Sequence, residues 1–129
     1  MMKTVLIPDE YQHTSPAGAE VRLLINNMYG GIAHCTLRNK KTSRAVQHKT
    51  VSEFWHVLSG KGEIWRKNAD EELITFLEAG ISIDIPLGTA FQYRSVEHDL
   101  VFICVTNPPW PGSDECFYVE KFPWKATVS

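Results

Sequence analysis

The chain of 129 residues is the length of one domain, and a compact fold of this size buries roughly two thirds of the surface its unfolded form exposes. With 13 Lys and Arg against 15 Asp and Glu the formal net charge is -2, too weak a field to recruit nucleic acid or an anionic membrane surface. Cys35, Cys104 and Cys116 are widely spaced, which excludes a disulfide framework and paired zinc knuckles and fits reduced thiols in a cytoplasmic protein.

The opening "MMKTVLIPDEYQ" carries one lysine and a short apolar run broken at Pro8, unlike a secretory signal, and no later run reaches the ~18 apolar residues of a membrane span. Short candidate strands then follow one another: EVRLLIN, GIAHCTLR, RAVQH, SEFWHVLSG, KGEIWRK, ELITFLE, ISIDIP, AFQYRS and DLVFICVTN. Each is bounded by Gly, Pro, Asn or Asp and enriched in β-branched and aromatic residues. That pattern predicts an all-β sandwich or barrel, one domain over residues 1–129. The basic stretch RNKKTSR has no aromatic residues among its charges and reads as a solvated loop. SGKG is expected to turn a tight hairpin, NADEE to form a second polar turn and VEHD a third. A helix has room only at the extreme N-terminus or around Asp114, and neither segment has helical periodicity.

The strand EFWHVL alternates Glu53, Trp55 and Val57 on one face with Phe54, His56 and Leu58 on the other, so both faces are largely apolar. One can line a barrel interior. The second needs a cover, and a homodimer is the expected one. Trp65, Trp110 and Trp124 with Phe117, Tyr118 and Phe122 offer a further apolar patch for association.

From His48 to Ser95 the spacing resembles the two motifs of the cupin superfamily. His48 stands at the second histidine of the first motif, four residues precede Glu53 at its carboxylate, and Gly60 closes it. Val46 stands where the first histidine would be and Lys40 where the opening glycine would be. In "GISIDIPLGTAFQYRS" the second motif matches at Gly80, Pro86 and Gly88, with Phe91 at its histidine and Ser95 at its asparagine. The motifs thus lie around 46–60 and 80–95. The ending with PPWPG also resembles small single-domain cupins. The resemblance implies a cupin-type double-stranded β-helix, a jelly-roll barrel. It also implies a divalent ion, Fe, Mn, Ni or Zn, held by three imidazoles and a carboxylate. Of that set the chain supplies His48 and Glu53, and His34 is the candidate for a third ligand. Three protein ligands are the usual minimum for a catalytic metal, so no cofactor is certain from the sequence.

If these positions keep the family's inward direction, parity lines the lumen with Val46, Trp55, Phe91 and Tyr93, with polar tips at His48, Glu53 and Arg44. Such a wall suits a small organic molecule with a flat apolar body, although a barrel filled by its own Trp55 and Phe91 fits the sequence equally. A carboxylate in that interior has to find a donor, become neutral or bind a cation, and His48 is the nearest candidate donor. Three functions follow: a small-molecule-binding barrel with a degenerate metal site; a metal-independent isomerase or epimerase with His48 as base, Glu53 orienting it and Tyr93 as acid; or a metal-dependent oxygenase or isomerase using His48, Glu53 and His34. PPWPG is extended and rigid, and Trp110 is expected to clamp it to the barrel surface or rim.

Overall fold

The structure, a computed structural model, describes residues 1–128. Nine strands make one curled sheet: β1 (His13–Thr14), β2 (Glu20–Asn27), β3 (Gly30–Leu37), β4 (Val46–His48), β5 (Ser52–Lys67), β6 (Glu72–Glu78), β7 (Ser82–Ile85), β8 (Ala90–Asn107) and β9 (Cys116–Tyr118). A single 3-10 turn at Ser113–Glu115 falls in the acidic segment where a helix had room. Among the described residues no helix is long and apolar enough to cross a membrane.

Two long strands organise the sheet. β8 runs antiparallel to β5 along nearly its whole length, and it also pairs with β4 through Val46↔Phe91 and with β3 from Gly31↔Thr106 to Leu37↔Leu100. Because one strand belongs to both halves, the sheet curls around a core of Leu37, Val57, Ile64, Leu77, Leu100 and Phe102. Alternation along β5 follows the sequence expectation: Glu53, Trp55 and Val57 are buried, while Phe54 and Leu58 on the other face are 56% and 43% exposed. A satellite cluster of Ala45, Trp65 and Ala90 packs with Trp124. The Gln92 side chain ties it to the C-terminal segment, donating to the Ser43 and Trp124 carbonyls at 2.8 Å each.

The SGKG segment is not a hairpin. It lies inside β5, opposite β8, and the register slips there, from Ser59↔Val101 to Lys61↔Glu97. Its glycines serve close approach rather than chain reversal. Gly60 has φ +82°, and a Cβ on Gly60 or Gly62 would overlap the carbonyl oxygen of Asp99 or Arg94 in β8. Glycines that mark a turn and glycines that mark a bulge look alike in one sequence. VEHD likewise is no loop: His98, at φ +61°, is the corner where β8 passes from one half of the barrel to the other. The proposed aromatic patch is also divided, since Trp65 is buried and donates to Glu72, and Trp124 lies under the Arg94 guanidinium. Only Phe117, Tyr118 and Phe122 of that group are exposed.

This account expects Gly62→Ala to lower stability by about 2–4 kcal/mol in urea denaturation, because a backbone carbonyl must move. Gly80→Ala should cost about 1 kcal/mol, since Gly80 has φ +94° but open space around it.

Candidate functional site

The site is assembled where three segments meet at one end of the barrel. β4 ends at His48, a bend at Lys49–Thr50 leads into β5, and Glu53 is the second residue of that strand. Inward parity on β4 and β5 then aims His48 and Glu53 at each other, and His48 Nε2 lies 2.5 Å from Glu53 Oε2. The third segment is the C-terminal return. β9 pairs with β4 with His48 opposite Cys116, which delivers Glu115 and Cys116 to the far side of the imidazole. Nδ1 of His48 is 3.3 Å from Glu115 Oε2 and 3.6 Å from Cys116 Sγ.

Glu115 is seated by the turn that follows His48. Its carboxylate accepts from the backbone N–H groups of Lys49 at 2.7 Å, Thr50 at 2.9 Å and Val51 at 3.2 Å, and from the Thr50 hydroxyl. Burial works against its charge, but the Thr50 hydroxyl and these amides outweigh it and hold the Glu115 carboxyl below its usual range. For Glu53, burial is again the largest single influence and opposes ionisation. The His48 hydrogen bond and charge overcome it, aided by Trp55 Nε1, which donates to Oε1 at 2.7 Å, so the carboxyl is lowered. His48 itself is disfavoured as a cation by burial, yet the Cys116 and Glu53 hydrogen bonds and the Glu53 charge raise it to about 10. The result is a buried imidazole favoured in its cationic form, with Nε2 against Glu53 and Nδ1 facing Glu115 and Cys116.

Aromatic rings surround this row. Phe91 stacks on His48 with ring centroids 5.7 Å apart, Trp110 meets its edge at 5.4 Å, and Trp55 stacks on Phe102 at 3.7 Å. Tyr93 packs edge-on to Trp55 at 4.8 Å, and burial pushes its phenol well above the usual range. The rings do not fill the barrel. A cavity of about 490 Å3 remains, bordered by Val46, His48, Glu53, Trp55, Phe91 and Tyr93 and capped at the mouth by Trp110.

The structure therefore brings together six of the residues picked from the sequence and leaves two outside. His34 is not beside His48 and Glu53. It pairs with Ile103 in β3/β8, and Ile103 lines a groove on the outer face of the sheet, while Cys35 and Cys104 take the inward positions. Arg44 precedes β4, where strand parity no longer holds, and its guanidinium turns to the Pro16 carbonyl and the Tyr118 hydroxyl, each 3.5 Å away. Glu115 and Cys116 were not legible as site residues, being 67 and 68 positions from His48. Trp110 reaches the rim as expected of a clamp.

A metal of the kind the resemblance implies does not fit this arrangement. Both nitrogens of His48 face partners, both oxygens of Glu53 accept hydrogen bonds, and Val46 and Phe91 put hydrocarbon at the remaining donor positions. Among the described residues no three His, Cys, Asp or Glu side chains are grouped to hold an ion.

No protein-family model matches the chain, and no curated protein does. Solved structures do match. Oxalate decarboxylase from Bacillus subtilis superposes with a TM-score of 0.76 at 12% identity, over 92% of this chain and 33% of that one. The capsular polysaccharide assembling protein CapF from Staphylococcus aureus gives 0.70 at 20% identity, over 92% of this chain and 34% of that one. An uncharacterized conserved protein with a double-stranded β-helix domain from Klebsiella pneumoniae gives 0.66 at 18% identity, over 88% of this chain and 94% of that one. The chain spans about a third of the length of the CapF and decarboxylase chains. These likenesses show the fold, the double-stranded β-helix of the cupins.

The charged row has a pH signature. Folding raises the His48 pKa from 6.5 to about 10, so the folded state binds this proton more tightly than the unfolded chain does. Its stabilisation is complete below about pH 6.5 and is lost as the pH rises towards about 10. Glu53 and Glu115 are depressed from 4.5, so their contribution is present above that value and lost as the pH falls. Calorimetric melting temperatures at constant ionic strength should peak between about pH 5 and 6.5 and decline steadily from about pH 7 to 10. A flat profile over that alkaline range would contradict the buried imidazolium.

Proposed function

We propose that the chain is a small-molecule-binding barrel that works without a metal, taking an organic ligand with a flat apolar body into its aromatic lumen. The observation that carries this reading is the cavity of about 490 Å3 that persists although Trp55, Phe91, Tyr93 and Phe102 all point inward. That volume is in the range of small-molecule pockets, and its lining pairs apolar walls with a few fixed polar groups, as such sites do.

The acid–base alternative is less well supported. A general base needs a free lone pair within reach of substrate, and His48 directs one nitrogen to Glu53 and the other to Glu115. Tyr93 as the acid would have to release a proton that burial holds tightly. The metal-dependent alternative lacks its third ligand, since His34 faces away. The neighbours named as a decarboxylase and as a capsular assembly protein lend this chain a fold, and we carry no substrate over from them. The exposed Phe54 face belongs to the same proposal as the surface a second copy would cover, consistent with its apolar groove along Ile83, Ile103 and Val105.

A thermal-shift screen of compact cyclic and aromatic compounds tests the reading. At least one compound class should raise the melting temperature by mass action, and Ala33→Phe, which narrows the lumen, should abolish that rise while the variant stays folded. Metal content of the purified protein should stay below about 0.2 equivalents after growth in supplemented medium. Silence across the screen, or a stoichiometric divalent ion, would overturn the proposal.

A further inference from the structure

The charge of the lumen is more informative than its shape. The residues lining the cavity include no Lys and no Arg. Arg44, expected there, is engaged outside by Tyr118, whose ring lies 5.7 Å from the guanidinium carbon. The titratable groups that do border the cavity are His13 at the exposed mouth, Tyr93, the thiols Cys35, Cys104 and Cys116, and the His48–Glu53 pair. Burial keeps Tyr93, Cys35 and Cys104 in their neutral forms. Behind His48 stands Glu115. Two carboxyl groups thus flank the one imidazole of the polar wall, His48 Nε2 lying 2.5 Å from Glu53 and Nδ1 3.3 Å from Glu115, so acidic groups outnumber basic ones there.

Facing that wall are π systems. Phe91, Trp55, Tyr93, Phe102 and Trp110 all border the same space, and aromatic faces carry the negative part of the ring quadrupole, which attracts cations most strongly where water is displaced. An entering carboxylate or phosphate would lose its hydration, meet Glu53 and find no positive partner free, because both ring nitrogens of His48 are already held by Glu53 and Glu115. An entering cation would meet a wall richer in acidic than basic groups, bordered by several aromatic rings. Both terms have the same sign.

We propose that the lumen selects a small organic cation with an apolar body, an aryl or alkyl ammonium, over neutral and anionic molecules of the same shape. The proposal rests on the binding reading above and adds the charge of the ligand.

Isothermal titration of the intact protein at moderate ionic strength with benzyltrimethylammonium, benzyl methyl ether and phenylacetate separates the two. The ammonium should bind at least about tenfold more tightly than phenylacetate and measurably more tightly than the ether. Phenylacetate or the ether binding as tightly as the ammonium would overturn the charge selection and leave the binding reading standing. No binding of the ammonium, or ammonium binding unaffected by Ala33→Phe, would overturn the proposal as well.

Two variants locate the effect. Glu53→Gln should reduce the ammonium affinity by about tenfold and the ether affinity by distinctly less. Phe91→Leu keeps both carboxylates and most of the apolar volume, so it serves where Glu53→Gln fails to fold. It should weaken the ammonium by about threefold and the ether by distinctly less. An equal loss for both probes in Phe91→Leu would show that the ring acts as apolar surface only, against the proposal.

Discussion

The row Glu53–His48–Glu115 is the constraint on which the rest of the site depends. Each member is buried, and each would be costly there alone: removing one partner of a buried ion pair leaves an uncompensated charge, typically worth several kcal/mol. The three belong to β5, β4 and the turn before β9, so satisfying the charges also fixes how those segments meet. Glu115 does double service. Its second set of contacts, to the amides of residues 49–51, holds the connection between β4 and β5 in the shape that points His48 inward. The stretch from Trp110 to Cys116 is thereby anchored over the mouth of the barrel by electrostatics as much as by strand pairing.

The same row accounts for a buried imidazole and carboxylate inside an otherwise aromatic lumen. In place of an ion, His48 supplies the positive charge that Glu53 requires, and Glu115 completes the balance on its other side. Phe91 then stacks where a further imidazole would stand and lowers the dielectric around the row, which strengthens the attraction within it. With hydrocarbon at Val46 and Phe91, the space beside the row is an aromatic chamber with a polar floor. Trp55 links the two roles, donating its indole N–H to Glu53 while its ring face packs on Phe102.

Much of the fold was legible in the sequence because strand parity is a local property. Glu53, Trp55 and Val57 against Phe54 and Leu58 told which face of β5 is buried, Gly80 marked the turn into β7, and Pro86 and Gly88 the turn into β8. Parity stopped being informative where a strand stopped: β4 has only three residues, and extending its alternation back to Arg44 placed that side chain wrongly. For His34 no local pattern chooses the face, and its pairing with Ile103 decides it. The glycines of SGKG signalled a constraint correctly but not its kind, since close approach to the β8 backbone and chain reversal make the same demand on composition. Glu115 was invisible because its partner turn is distant in the chain and its role comes from β9 docking on β4, a contact that no local pattern reports.

The central claim is that His48 is a doubly donating imidazolium held between two carboxylates at neutral pH. The most direct measurement is the nitrogen chemical shifts of its ring, read through their couplings to the ring carbon-bound protons in uniformly labelled protein. The account predicts two protonated-type nitrogens, with no change through the pH range where a free imidazole titrates. One protonated and one lone-pair-bearing nitrogen, or a midpoint close to that of free histidine, would contradict it.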